Sequence, residues 1–368
     1  MSDYYIVENS NSPHEEGIDT LSRVIKNKGN RVILCLNSTS LNRVNSLSFS
    51  NYIDDIIEIN SMQGIIKLIS QSGRSGVILH NTVSVRNTLT TIIFSIAARS
   101  NVYYIRNANS WIFYSNHDGN FLNKILRFTS TFIKKRLLKK AQLLLVESDQ
   151  IQKYLNKNVT NNVEVVPYKY YIDSKEGFKR VGTIDIVIPG AVDLKRKPLG
   201  VVFDALSSLN FEQLNKIRII VLGRPVSELD LDYCISLKEK FKDSVVIFEK
   251  FISNSVFEKY IFKASFLLGS LNINHEDVYL KEIYGTTKGS GVFGQAIGYG
   301  KPLIVNKGFN VPSEIQTSTL HYQSKEDLYN IFSHIVDDNT FNNDLRKVAE
   351  RNSSLFTIDK ISKNVDLI

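Results

Sequence analysis

Short apolar runs rich in Ile, Val, Leu and Tyr recur along this chain, each followed by a polar loop and then a longer segment with helical spacing. In the first half they are Tyr4–Glu8, Arg31–Leu36, Asp55–Ile59, Gly76–His80, Val102–Arg106, Leu143–Glu147 and Val163–Pro167. Strands separated by crossover helices pair in parallel, so the pattern restricts the chain to an α/β, doubly wound architecture. The pattern starts afresh with Ile184–Ile188, Ile217–Leu222, Val245–Phe248, Ser265–Leu268 and Pro302–Val305, which predicts a second sheet. Between the two, "PYKYYIDSKEGFKRVGT" has no clean apolar period and reads as a linker. The expected domains are therefore 1–166, a linker at 167–183, and 184–368, with the last helix free to pack back on the first domain. A length of 368 residues agrees, since one domain takes roughly 100–200. Two such sheets in tandem are expected to turn the carboxyl ends of their strands toward a shared cleft, so function belongs on the loops after strands.

Several classes of function fall away. Cys35 and Cys234 are the only cysteines, which leaves no disulfide framework or zinc cluster and fits a reducing cytoplasm. The opening "MSDYYIVENSNSPHEEG" has no basic region followed by an apolar one, and no segment reaches about 18 uninterrupted apolar residues. The expectation is a cytoplasmic protein that neither carries a signal peptide nor spans a membrane. A net charge of +8 points to a polyanion: nucleic acid, anionic lipid or a phosphorylated substrate.

The densest motif is "YGTTKGSGVFGQAIGYGKPLIV", 284–305. Within it "GSGVFG" matches the dinucleotide fingerprint G-x-G-x-x-G, but that mechanism needs a strand directly before the first glycine and an acid closing the next strand, where Asn306 stands. "GQAIGYGKP" misses the Walker A spacing and puts Pro302 where Ser or Thr must hold magnesium. A third reading fits better. A Gly/Thr/Ser loop running into a small-residue helix, Ser290 to Tyr299, presents free amides and a helix dipole to a diphosphate, with Gly289 and Gly291 allowing close approach and Lys288 adding charge. The acids of "DLD", 230–232, read as the start of a helix.

Loop, helix and "GKPLIV" strand together resemble the donor-binding segment of GT-B glycosyltransferases of the group-1, GT4-like class. Against that family's pattern Gln295 stands at the second glutamate and Thr287 at the first, while Glu282 in "KEIYGTTK" offers a carboxylate from the preceding loop. "IVIPGAVDLKRKPLGVVFDAL" is similar to the family's strand, glycine turn and basic pair, which assigns Gly190, Lys195, Arg196 and Lys197 to a donor diphosphate. "VVIFEKFISNSVFEKYIFKASFLLGSL" looks like the segment beside the nucleotide base. The resemblance covers most of 163–355. It implies two Rossmann-like domains facing a cleft and a metal-independent hexosyltransferase with no cofactor. Such an enzyme would move a sugar from a nucleotide-sugar to a growing, lipid-linked glycan in cell-surface polysaccharide synthesis. The implied catalytic residues are Arg196, Lys288 and Glu282; Arg224, Phe251, Thr286, Thr287, Gly289, Ser290, Gly291 and Gln295 join the donor set. A non-catalytic glycan- or nucleotide-binding relative is the alternative, and an NAD-dependent enzyme a further one.

In such an enzyme the N-terminal domain takes the acceptor. The loops at 9–17, 79–87 and 105–119 supply Gly17, His80, Arg106, Asn107, Asn109 and Trp111, an aromatic face beside amides that suits a sugar ring. His14, His80 and His117 are candidate bases if the reaction inverts the anomeric centre. Finally, "FLNKILRFTSTFIKKRLLKK", 121–140, carries seven cations and no acid among Phe, Leu and Ile. That is a basic amphipathic helix, either a core helix with a solvated face or a dock for anionic lipid, which would place the protein on the inner face of the plasma membrane. No nucleic-acid-binding module accompanies the charge.

Overall fold

The computed structural model describes residues 1–10, 14–44, 50–59, 62–72, 76–83, 100–114, 121–173, 182–276 and 280–367. His117, part of the linker (174–181) and parts of the first two acceptor loops (11–13 and 84–87) lie outside them. The chain forms two compact units: 1–170 with 276–289 and 358–368, and 171–275 with 290–357.

The first unit is built on β1 (Asp3–Glu8), β2 (Arg31–Leu36), β3 (Asp55–Glu58), β4 (Val77–His80), β5 (Ser100–Tyr104), β6 (Leu143–Val146) and β7 (Val163–Val165), all parallel, in the order β3-β2-β1-β4-β5-β6-β7. Its described helices are α1 (Glu15–Asn27), α2 (Ser38–Val44), α3 (Met62–Ser72), α4 (Asn109–Ile112), α5 (Phe121–Lys140) and α6 (Asp149–Asn158). Strands buried on both faces are apolar over most of their length, as Tyr4–Val7 of β1, Val32–Leu36 of β2 and Val77–Leu79 of β4 are. One core gathers Tyr5, Ile33, Ile57, Leu68 and Ile78, and another gathers Tyr103, Trp111, Leu137, Leu144 and Ile151. The C-terminal helix Ile358–Asn364 packs on α1.

The second unit repeats the plan with β8 (Ile184–Pro189), β9 (Ile217–Leu222), β10 (Val245–Ile247), β11 (Phe266–Gly269), β14 (Leu303–Asn306) and β15 (Thr319–Tyr322), in the order β10-β9-β8-β11-β14-β15. Two short strands precede the glycine-rich loop, β12 (Asn274–Glu276) and β13 (Lys281–Ile283), the latter within the first unit. The helices are α7 (Gly200–Ser207), α8 (Phe211–Leu214), α9 (Glu228–Phe241), α10 (Asn254–Lys263), α11 (Gly291–Tyr299), α12 (Lys325–Asp337) and α13 (Asn339–Ser353). Local chemistry sets their ends. The expected helix at "DLD" starts with a capping box, the Ser227 hydroxyl accepting from the Asp230 amide and the Asp230 carboxylate accepting from the Ser227 amide. Gly300 ends α11 in the left-handed conformation, φ 60°, with Pro302 following. Ile186, Ile188, Phe203, Phe266, Leu328 and Phe332 form the core.

Both sheets thus have a central strand from which the order runs out in two directions, between β1 and β4 and between β8 and β11. Open α/β sheets bind ligands just beyond the carboxyl ends at such a switch point. No helix among the described residues is long and apolar enough to cross a membrane.

Candidate functional site

At the switch point of the second unit, β8 runs into Gly190, whose φ of 88° lets the chain turn sharply. A Cβ on Gly223, after β9, would lie 2.4 Å from the Gly190 carbonyl, so the two turns press backbone to backbone. Lys197 folds back beneath them. Its buried ammonium donates to the carbonyls of Pro189 and Gly190, 2.7 Å each. Burial, reinforced by the neighbouring Arg196, lowers its pKa to about 7. Arg196 and Lys195 stay exposed, the Arg196 guanidinium 3.5 Å from the Asp193 carboxylate.

The same loop is tied to the end of β11. The Ser270 hydroxyl donates to the Pro198 carbonyl (3.0 Å), and Asn272 donates from its amide to Arg196 O (2.7 Å) and from its side chain to Lys195 O (2.6 Å). Gly269, at the end of β11, packs against Val292 in the first turn of α11. Ser290 caps α11 without a side-chain bond to its amides, and Gly291 opens it. The glycine turn, three cations and a helix N-terminus therefore lie at one switch point. Arg224 and Phe251 stand exposed on the loops after β9 and β10, while Gln295 is buried within α11.

The first unit holds the remaining predicted residues, and it joins two groups that the sequence separates. Residues 281–288, expected at the donor, are stitched to 107–110, expected at the acceptor. The Ala108 amide donates to Thr287 O (2.7 Å), the Asn109 side chain to Lys281 O (2.8 Å), and Lys288 Nζ to Asn107 Oδ1 (2.6 Å). Glu282, fully buried, accepts from the amides of Asn109 and Ser110 at 3.3 and 3.0 Å. Burial raises its pKa to about 7, against the bonds from Thr287 and those amides. Thr287 is itself buried and accepts from the Ile283 amide, with Thr286 half-buried beside it. Gly289 leaves room for a side chain rather than a phosphate: a Cβ there would lie 1.5 Å from the Glu147 carboxylate.

Two expected acceptor residues lie in the core. His80 is fully buried, stacked on Tyr103 at 4.6 Å with Nε2 3.3 Å from Asn101 Oδ1, and burial takes its pKa down to about 4. Trp111 packs against the other side of that cluster, 5.5 Å from Tyr103. Arg106 keeps a polar setting: it donates to Asn81 Oδ1 (2.9 Å), lies over the Tyr104 ring, and approaches Gly17, whose missing side chain admits its guanidinium.

One cluster has no signature in the sequence. Glu8 ends β1, at the first unit's switch point, with no exposed surface. Its carboxylate accepts from Asn81 Nδ2 (2.5 Å), Thr82 Oγ1 (2.7 Å) and the Ser10 hydroxyl (2.5 Å), and His14 Nδ1 faces it at 3.7 Å. Burial acts to raise its pKa, but His14, Ser10 and Thr82 outweigh that and hold it below the usual glutamate value. A half-exposed imidazole over a buried carboxylate is an arrangement that can accept a proton.

No family model matches the chain, and no curated protein matches it in sequence. Solved structures do match in shape. HepE of Anabaena, in complexes with UDP and with UDP-glucose, covers 99% of this chain and 98% of its own at 13% identity, with TM-scores of 0.65 and 0.64. The chain has the GT-B fold. Two other proteins with this likeness are MnaA of S. aureus bound to UDP (15% identity, TM-score 0.55, 99% and 94% covered) and the O-GlcNAc transferase of Thermobaculum terrenum (10%, 0.57, 98% and 65%). In GT-B terms the second unit of this chain has its glycine turn after β8, at Gly190, rather than at "GSGVFG", which a turn and not a strand precedes.

Proposed function

We propose that this GT-B chain is a glycosyltransferase that moves a hexosyl group from a nucleotide-sugar to a growing, lipid-linked glycan in cell-surface polysaccharide assembly, working without a metal at the membrane's inner face. The observation that carries the reading is the set at the second unit's switch point. Gly190, Arg196, Lys197 and the amides of Ser290 and Gly291 are what a diphosphate needs: a turn that admits it, positive charge, and N–H donors at a helix N-terminus. HepE, bound to UDP and UDP-glucose on the same fold, supports a uridine nucleotide as donor. One fold hosts many reactions, so the reaction rests on the site.

In this reading Arg196 and Lys197 stabilise the negative charge that grows on the departing diphosphate, which accelerates bond breaking because those charges are in place beforehand. Lys195, Arg224 and Gln295 extend the donor contacts and Phe251 offers its ring to the base. Lys288, now held by Asn107, is a further cation that can exchange an amide oxygen for a phosphate. Thr286, Thr287 and Glu282 shape that loop, and Gly289 leaves room for Glu147. Gly17, Arg106, Asn107 and Asn109 remain the acceptor-side candidates, with His14 on Glu8 as proton acceptor.

The test is release of UDP from UDP-sugars by the purified protein, with and without glycan acceptors. Transfer is expected, and Arg196→Ala and Lys288→Ala should each lower it about 10²–10³-fold, the range for one preorganised charge. Nucleotide binding without sugar release would instead favour a binding protein.

A further inference from the structure

Between Ile125 and Lys134 the described side chains of helix α5 are arranged largely inside out. Toward the core it turns Ser130, Thr131 and Lys134 together with Leu137 and Leu138, all buried. Toward solvent it turns Ile125, Phe128 and Phe132, which are 46%, 60% and 41% exposed. A surface helix ordinarily has the opposite arrangement, so this apolar stripe is left in water against the hydrophobic effect. Tyr114, 39% exposed, extends it by stacking on Phe128 at 5.2 Å.

The stripe continues into charge. On the same face follow Lys135, Arg136, Lys139 and Lys140, with no acid anywhere between 121 and 140. The Lys135 ammonium lies 3.8 Å from the Tyr114 ring centre and the Arg136 guanidinium 4.6 Å from that of Phe132. Lys134, part of the same basic run, is different: its ammonium donates to the Ser110 hydroxyl at 3.1 Å inside the unit.

We propose that this face docks on an anionic bilayer. Ile125, Phe128, Phe132 and Tyr114 enter the boundary between headgroups and acyl chains, while Lys135, Arg136, Lys139 and Lys140 pair with lipid phosphates. Aromatic rings carrying cations suit that boundary, where one end of the pair is apolar and the other wet. The charge also argues against a second copy as the occupant, because face-to-face pairing would bring two sets of four cations together. Docking gives the proposed lipid-linked acceptor its physical basis but is independent of turnover, so it is tested without any.

The experiment is sedimentation with vesicles of phosphatidylcholine alone and with about a third phosphatidylglycerol. The protein should sediment with the anionic vesicles. Phe128→Ser with Phe132→Ser should abolish this at every salt concentration. Replacing Lys135, Arg136, Lys139 and Lys140 by Gln should weaken it at least tenfold, each cation near the surface being worth about fivefold. Lys134→Gln should leave binding unchanged. All but the last alter exposed or, at Lys135, half-exposed side chains, and an unchanged circular dichroism spectrum would confirm that the variants fold. Failure of the wild type to bind, binding that survives both sets of substitutions, or a dimer in solution that Phe128→Ser dissolves would each overturn the proposal.

Discussion

Lys197 holds its proton loosely because burial strips its ammonium of water and the neighbouring Arg196 repels it, which together outweigh the two carbonyls it donates to and the nearby Asp193 carboxylate. Its folded pKa of about 7 lies below the ordinary lysine value of about 10.4. The unfolded chain therefore binds more protons between those limits, and stability should rise as pH rises through that window. Replacing Lys197 by Met should flatten that rise, measured as urea midpoints from pH 7 to 10. An anion at the site favours the charged form, so nucleotide binding near pH 8 should take up a proton, seen by calorimetry in buffers of different ionisation enthalpy. Glu8 titrates in the other sense. Its folded pKa is depressed, so the stability it contributes is present above about pH 4.3 and lost as pH falls through the folded value. Glu8→Gln should cost about 1–3 kcal/mol at neutral pH by leaving buried donors mismatched, and should remove that acid sensitivity. Glu8 was not legible in the sequence because nothing marks a lone glutamate at a strand end; its partners Asn81 and Thr82 arrive from more than 70 residues away. For His80 and Trp111 the sequence left a site role and a core role both open, since a polar loop composition does not reveal which side chains turn inward.

The twelve strands expected from apolar runs all form, within two residues at each end, because a strand buried on both faces has to be written almost entirely in Ile, Val and Leu. The strand β15 escapes that rule. It lies at the sheet edge, and "TLHY" alternates polar and apolar residues like any loop. The short strands β12 and β13 escape it too, at three residues each. Helix α5 was legible as basic and amphipathic, but its apolar residues surround the axis, and only packing reveals that the Phe128 stripe is outward and Lys134 inward. Gly223→Ala sets a methyl against the Gly190 backbone, which cannot move aside as a side chain could. Thermal unfolding should show a loss of about 1–3 kcal/mol, as for overpacked interiors.

At the scale of the molecule, two parallel sheets of the same winding each place a polar cluster at the point where their strand order reverses: Glu8 with His14 in one, Gly190 with Lys197 in the other. The repeat was legible from the rhythm of the runs. What was not legible is that 276–289 belongs with the first unit, since contiguity in sequence says nothing of which core a loop joins. The second unit's switch point is proposed to hold a nucleotide-sugar donor. This is tested most directly by thermal shift against UDP, GDP, CDP and dTDP at millimolar concentration, with the wild type and Arg196→Ala side by side. One nucleotide, with UDP favoured, should raise the wild-type midpoint, a ligand at a hundred times its dissociation constant adding about 2.7 kcal/mol, and the shift should shrink sharply in Arg196→Ala. No shift with any nucleotide, or the same shift in both proteins, would contradict it.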